Sequence, residues 1–249
     1  MNDTTQLQAN ADEWLRAAGI TKRYGRLTAL DDVQFSIRSG EILGLIGPNG
    51  SGKTTLFECL AGVLAPTSGE LLYQGRLLSA RERRGVLFYL PDGIAPWPEQ
   101  TVQWALEFTV GFLGGLQDQL GAVIESLTLA PLLMSPIGTL SKGQRKRVLL
   151  AIGLLTAQPL LLADEPFEGL DLRQSREVAA TLRAHSRGGR TLFLSIHQIA
   201  DAARICDRFV LLSGGKVRGE GTLDELTAVA RSAGAGTVGN LEEVFLALT

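Results

Sequence analysis

The 249-residue sequence predicts an α/β fold, a parallel sheet covered on both faces by helices, with a helical insertion in its middle. Three observations lead there. Short, largely apolar runs recur at 41–46, 86–90, 160–163, 191–196 and 209–212, and runs without polar alternation suit strands buried on both faces. Helix-forming stretches separate several of these runs, which is the order of a parallel sheet with crossover helices. The first run leads straight into a glycine-rich loop and then an apolar-periodic segment that ends before Pro66.

The elements follow in order. Residues 1–13 are polar and are expected to form a loose tail. From Leu15 to Ile37 the pattern is short strands, with turn signals at Tyr24-Gly25 and Asp31-Asp32. Leu71-Leu72-Tyr73, a Gln74-Gly75 turn and Arg76-Leu77-Leu78 predict a hairpin. The loop Tyr89–Gln100 carries Pro91, Pro96 and Pro98 around a lone Asp92. Residues from about 99 to 155 read as helical, with Thr101 able to cap a helix through Phe112 and Gly114-Gly115 able to stop it. That helix is apolar around most of its circumference. It is either fully buried, or it packs one face inside and leaves Trp104 or Phe108 for a partner. Helices near Gln174–His185 and Ile199–Ile205 follow, and a last strand is expected near Lys216–Arg218. His185 is expected at the surface.

Composition narrows the function. A formal net charge of −2 supplies no bulk positive field for a phosphate backbone, so no nucleic acid is expected as partner. The longest apolar region, Val148–Ala163, is broken by Gln158 and Pro159 into pieces shorter than the ~20 residues a bilayer span requires. The start, MNDTTQLQANADEW, lacks the basic-then-apolar order of a secretory leader. These features predict a soluble, cytoplasmic chain. Cys59 and Cys206 have no metal-ligand spacing and read as buried reduced thiols.

Gly47-Pro48-Asn49-Gly50-Ser51-Gly52-Lys53-Thr54, followed by Thr55, fits the phosphate-loop pattern G-x-x-x-x-G-K-[ST]. Its glycines let backbone N–H groups turn inward as an anion nest at a helix N-terminus. Lys53 can reach the β- and γ-phosphates of a nucleotide, and Thr54 can hold Mg²⁺. The run Leu160–Ala163 ends in Asp164-Glu165, two carboxylates at the sheet edge where ligands bind in open α/β folds. Asp164 can hold Mg²⁺ through water, and Glu165 can accept a proton from an attacking water.

Leu140-Ser141-Lys142-Gly143-Gln144 has the Ser141/Gln144 spacing of a capping box. Arg145, Lys146 and Arg147 follow and are expected in the first turn, where cations oppose the helix dipole unless an anion docks. This order of motifs resembles the nucleotide-binding subunits of ABC transporters, from about Trp14 to the C-terminus. LSKGQ is similar to the family signature LSGGQ, with Lys142 at its third position.

The resemblance implies a P-loop NTPase (RecA-like) core with an N-terminal antiparallel β subdomain and a helical signature subdomain. The ATPase domain would span 14–220, its catalytic core about 14–91 and 156–220, its helical subdomain about 92–155, with a C-terminal helical tail at 221–249. It implies ATP and Mg²⁺ as cofactors and a head-to-tail dimer with a second ABC ATPase subunit, homodimer or heterodimer. Ser141, Gly143 and Gln144 would lie at the γ-phosphate bound by the other copy. Tyr24 matches the aromatic residue that stacks on adenine, Asp171 the aspartate of the D-loop, and His197 the switch histidine. Asp92 stands where the family carries a glutamine near Mg²⁺, and is expected to approach the metal as a charged oxygen ligand. Partner permeases in the membrane would hold the chain peripherally on its inner face. Leu241–Thr249, LEEVFLALT, resembles the end of ATPases that serve ABC-2-type exporters. The expected function is therefore an ATP-hydrolysing motor subunit that drives separate membrane subunits, with export expected from that tail. The competing expectations are a soluble ABC ATPase acting on nucleic acid and a nucleotide-sensing subunit with little catalysis.

Overall fold

A computed structural model describes residues 14–234 and 239–249. The expected tail at 1–13 lies outside the described residues. The chain begins with β1 (Leu15–Tyr24) and β2 (Leu27–Ile37), then β3 (Ile42–Ile46), the glycine loop and α1 (Lys53–Ala61). Next come β4 (Ser68–Tyr73), β5 (Arg76–Leu77), α2 (Ala80–Val86) and β6 (Leu87–Leu90). The helical stretch holds α3 (Val102–Phe112), α4 (Leu120–Ser126) and α5 (Lys142–Leu155), joined by short 3₁₀ turns. The sheet resumes with β7 (Leu160–Asp164), α6 (Leu172–Arg187), β8 (Thr191–Ile196), α7 (Ile199–Ile205), β9 (Arg208–Ser213) and β10 (Lys216–Gly221). Two helices close the chain, α8 (Leu223–Ser232) and α9 (Leu241–Leu248).

Six strands form the central sheet in the order β10-β9-β3-β8-β7-β6, parallel except for the β10–β9 pair. A separate antiparallel sheet runs β2-β1-β4-β5. The apolar runs feed two cores by strict alternation. Ile42, Ile46, Leu192, Leu194 and Ile196 face a core built with α3, α5, α6 and α7. Leu43, Leu45 and Phe193 face the opposite core, shared with α1 and the antiparallel sheet. A strand with apolar residues at both parities can be sandwiched in this way, and its period-2 geometry assigns each side chain to a layer.

Several expectations are revised. Asp31-Asp32 is no turn: β2 runs through it, and Asp32 takes φ 51° at an irregularity in the β1–β2 register. The Asp32 amide donates to Thr21 Oγ at 3.0 Å, so the ladder absorbs the turn-former as a bulge. α2 was unforeseen, although Ser79 and Glu82 form a full capping box before it. α6 starts earlier than expected because Asp171 caps it. β10 extends to Gly221. α3 begins after its Thr101 cap and is one-sided: Val102, Ala105, Leu106 and Val110 are buried, while Trp104 and Phe112 are exposed. His185 is half-buried rather than superficial, and burial together with the Arg190 charge lowers its pKa. Both cysteines are free and buried, as the sequence indicated.

Candidate active site

β3 carries the chain to the sheet edge and releases it at Gly47. A Cβ on Gly47 would lie 2.3 Å from the Leu212 carbonyl oxygen, so only glycine fits against β9. Gly52, at φ 106°, then turns the chain into α1. This geometry exposes Pro48, Asn49 and Gly50 and buries Ser51 and Lys53. Lys53 Nζ donates to the Gly47 carbonyl at 2.7 Å and the Pro48 carbonyl at 3.4 Å, folding the ammonium over its own loop. It lies 3.9 Å from Glu165.

β7 and β8 end beside the loop and bring the second set of groups. Thr54 Oγ1 donates to Asp164 Oδ2 at 2.8 Å, and Ser195 Oγ donates to Asp164 Oδ1. Glu165 takes a left-handed conformation, φ 48°, which is uncommon outside glycine. Its Oε2 accepts from the His197 amide at 3.1 Å. Burial raises the Glu165 pKa, the Lys53 charge opposes that, and the neighbouring Asp164 adds to it; the net shift is upward.

Lys53, Thr54, Asp164, Glu165 and His197 share one cavity of about 640 Å³. Asn49, Gly50, Gly52, Lys53, Thr54 and Thr55 form one wall, and Asp164, Glu165, Glu168, His197, Gln198 and Asp201 another. Tyr24, 47% exposed, stands at the cavity with the Lys22 ammonium 5.1 Å from its ring centroid. Gly47, Pro48 and Ser51 shape the loop without lining the cavity.

Asp92 also lines the cavity, but its carboxylate is engaged. Lys146 Nζ donates to Asp92 Oδ1 at 2.5 Å, and Lys146 is 4% exposed. Burial opposes ionisation of Asp92, yet the hydrogen bond and charge of Lys146 outweigh it and hold the carboxyl below the usual range. Lys142 pairs with Glu168 at 2.5 Å. Asp92 and Glu168 therefore each tie a cavity wall to a lysine of α5.

The signature residues lie elsewhere. Ser141 caps α5 by accepting from the Gln144 amide, and Gln144 Oε1 accepts from the Ser141 amide, forming the expected box. Gly143 packs so closely that an added Cβ would sit 2.7 Å from the Gly169 carbonyl oxygen. Ser141, Gly143 and Gln144 do not line the cavity, and Asp171 accepts from the Gln174 amide at 2.8 Å as the cap of α6. One chain thus assembles the phosphate loop with the carboxylates and leaves the signature apart. The basic residues after the signature are also not an open anion site. Helix α5 starts at Lys142, which places Arg145, Lys146 and Arg147 beyond its first three residues. Arg145 donates to the Leu140 carbonyl, Lys146 pairs with Asp92, and Arg147 donates to the Leu127 and Thr128 carbonyls.

A family model described as ABC transporter matches residues 30–168, covering the phosphate loop, Asp164 and Glu165. The chain belongs to the ABC transporter family. A Nod factor export ATP-binding protein of Ralstonia nicotianae is 30% identical over 221 residues, 85% of this chain and 68% of that protein. The probable multidrug ABC transporter ATP-binding protein YbhF of Escherichia coli is 33% identical over 86% of this chain but only 38% of its own length. A sulfate/thiosulfate import ATP-binding protein, CysA 1 of Agrobacterium fabrum, is 34% identical over 85% of this chain and 64% of its own length. The chain therefore spans well under half of YbhF and just under two thirds of CysA 1. The solved structure of an ATP-binding subunit of an ABC transporter superposes with a TM-score of 0.83 at 28% identity, over 94% of this chain and 99% of that one. The cassette fold and its place in the family are consistent at both levels.

Sequence reasoning missed Ser195, and it missed the roles of Lys146 and Glu168 as ion-pair partners. Ser195 had a usable signal, as a hydroxyl between Leu194 and Ile196 near the end of the apolar run TLFLSI. The pairs Lys146–Asp92 and Lys142–Glu168 join residues 54 and 26 positions apart and have no local signal.

Proposed function

We propose that this cassette is the ATP-hydrolysing motor subunit of a transporter, working as a dimer around two ATP molecules beneath separate membrane subunits. The observation that carries the reading is the meeting of Lys53 and Thr54 with Asp164, Glu165 and His197 in one cavity. Lys53 would neutralise phosphate charge, with loop N–H groups as additional donors. Thr54 and Asp164 present two hard oxygen donors in contact, a set that fits Mg²⁺, which takes few protein ligands alongside phosphate and water. Mg²⁺ would supply charge neutralisation along the β- and γ-phosphates. Glu165 would take the proton of the attacking water, its raised pKa suiting a base. His197 would meet the γ-phosphate, Tyr24 would stack on adenine, and Ser141, Gly143 and Gln144 would act on the nucleotide of the partner copy, with Asp171 at the dimer seam.

Support for catalysis over nucleotide sensing is that Lys53, Glu165 and His197 are all present. No helix among the described residues is long and apolar enough to cross a membrane, which accords with separate permease subunits and a peripheral position on the inner face. Export is favoured by the Leu241–Thr249 ending; the relatives include both export and import proteins by name. We divide the cassette as the resemblance implies, with 92–155 as the helical subdomain and 221–249 as a C-terminal extension. The test is Glu165→Gln in the purified chain. Hydrolysis should fall at least ~100-fold while ATP binding persists and a dimer accumulates on a sizing column with ATP. Full hydrolysis by that variant would remove Glu165 from the mechanism. Identifying the membrane protein that co-purifies with the chain tests the direction of transport.

A further inference from the structure

Ser195 is a polar residue at the C-terminal end of β8, fully buried between Leu194 and Ile196. A hydroxyl in such a place costs free energy unless it is hydrogen-bonded, and it does not serve the strand's own ladder. Its two partners belong to the adjacent acidic residues Asp164 and Glu165. The Glu165 amide lies 3.0 Å from Ser195 Oγ, and an amide can only donate, so the hydroxyl accepts there. Its single proton is then left for Asp164 Oδ1. Thr54 holds the other oxygen, Oδ2, which fixes the plane of the carboxylate and leaves Oδ2 beside Thr54 as the oxygen at the cation site.

The second bond has a different consequence. The Glu165 amide enters a left-handed residue whose side chain must reach the His197 amide. A non-glycine residue in that conformation stays there only when its surroundings hold it. Ser195 holds it from the N-terminal side and His197 from the side chain. We propose that Ser195 is a positioning residue for hydrolysis: its one hydroxyl sets which Asp164 oxygen faces Mg²⁺ and, at the same time, the backbone turn that aims Glu165. The inference rests on the roles proposed for Asp164 and Glu165. It adds that metal binding and base orientation pass through a common atom, so both should fail together when it is removed.

The purified chain tests this with Ser195→Ala and Ser195→Thr, read by titration of a fluorescent ATP analogue with EDTA or with Mg²⁺, and by steady-state hydrolysis. Ser195→Ala should bind the analogue normally in EDTA but lose much of the tightening caused by Mg²⁺. Its kcat should fall about 10- to 100-fold with little change in KM, the loss expected for a hydrogen bond to a charged group. Ser195→Thr keeps the hydroxyl on a residue suited to a strand and should restore both readings. If the alanine chain does not fold, Ser195→Cys, similar in volume but a weak donor, takes its place in the same measurements. Wild-type kcat and wild-type Mg²⁺ tightening in the alanine or cysteine variant would overturn the proposal. So would equal losses with and without Mg²⁺ that threonine fails to rescue, since those mark packing alone. Glu165→Gln is run alongside. Should it hydrolyse ATP normally, the base assignment fails, whereas the effect of Ser195 on Mg²⁺ tightening still reports its bond to Asp164.

Discussion

Glu165 combines a left-handed backbone, a hydrogen bond from the His197 amide and a raised pKa in one residue. Burial is the largest cause of that shift, Lys53 opposes it and Asp164 adds to it. The folded chain therefore holds a proton on Glu165 at pH values where an ordinary glutamate has lost it. Its contribution to stability is full below the unfolded pKa and is lost as pH rises through the raised folded value. At neutral pH the ionised Glu165 thus opposes folding. Glu165→Gln should melt at a higher temperature than wild type at neutral pH, and the difference should shrink as pH falls towards the usual glutamate range. Paired thermal melts across that range check it. A function-linked carboxylate that weakens the fold is the kind of local conflict that active sites tolerate.

At the scale of elements, the departing loop after β6 and helix α5 are joined by charge. Asp92 meets Lys146, and Lys146 is nearly inaccessible, so removing the carboxylate leaves a buried cation unpaired. Asp92→Ala should cost about 1–3 kcal/mol in urea unfolding, and Lys146→Met combined with Asp92→Ala should recover part of it, because two neutral groups leave no charge stranded. The same pair bears on the proposed metal role of Asp92, because Lys146 already holds Oδ1 of its carboxylate and a cation would compete with that ammonium. If Asp92 meets the metal, Asp92→Gln shifts the Mg²⁺ dependence of hydrolysis; unchanged titrations assign Asp92 to the loop–helix contact alone. Helix α5 is also secured at its far end. Arg190 donates to the Gly153, Leu154 and Thr156 carbonyls, satisfying the groups a buried helix C-terminus leaves open.

At the scale of the molecule, the central sheet separates two cores, and its C-terminal edges deliver the site. The helical stretch adds a second feature away from the cavity. Trp97, Trp104, Phe108 and Phe112 form a continuous ladder, with stacked Trp104–Phe108 and Phe108–Phe112 pairs at 4.9 and 4.8 Å. Phe112 is 75% exposed and Trp104 37%. Large aromatic groups left in water along one helix face mark a contact surface, and in the proposed function its occupant is the membrane subunit. Trp104→Ala should therefore lower recovery of that subunit in co-purification several-fold or more, while ATP binding by the isolated chain stays as in wild type. Equal recovery would assign the ladder to packing within the chain.

The sequence alone determined the α/β layering, the phosphate loop, the Asp164-Glu165 pair and the capping box of α5, because each rests on residues close together along the chain. Strand burial was legible from unbroken apolar runs, and the start of α5 from Ser141 and Gln144. Local signals misled where a partner strand or distant charge prevailed. Asp31-Asp32 reads as a turn until β1 pairs across it, and Arg145, Lys146 and Arg147 read as an anion site until their carbonyl and carboxylate partners arrive. Only the tertiary structure decided that Asp92 meets Lys146, that Glu168 meets Lys142, and that Ser195 bridges Asp164 and Glu165. The reason is physical: hydrophobic periodicity and capping act within a few residues, whereas these bonds join segments that only the packed sheet brings together.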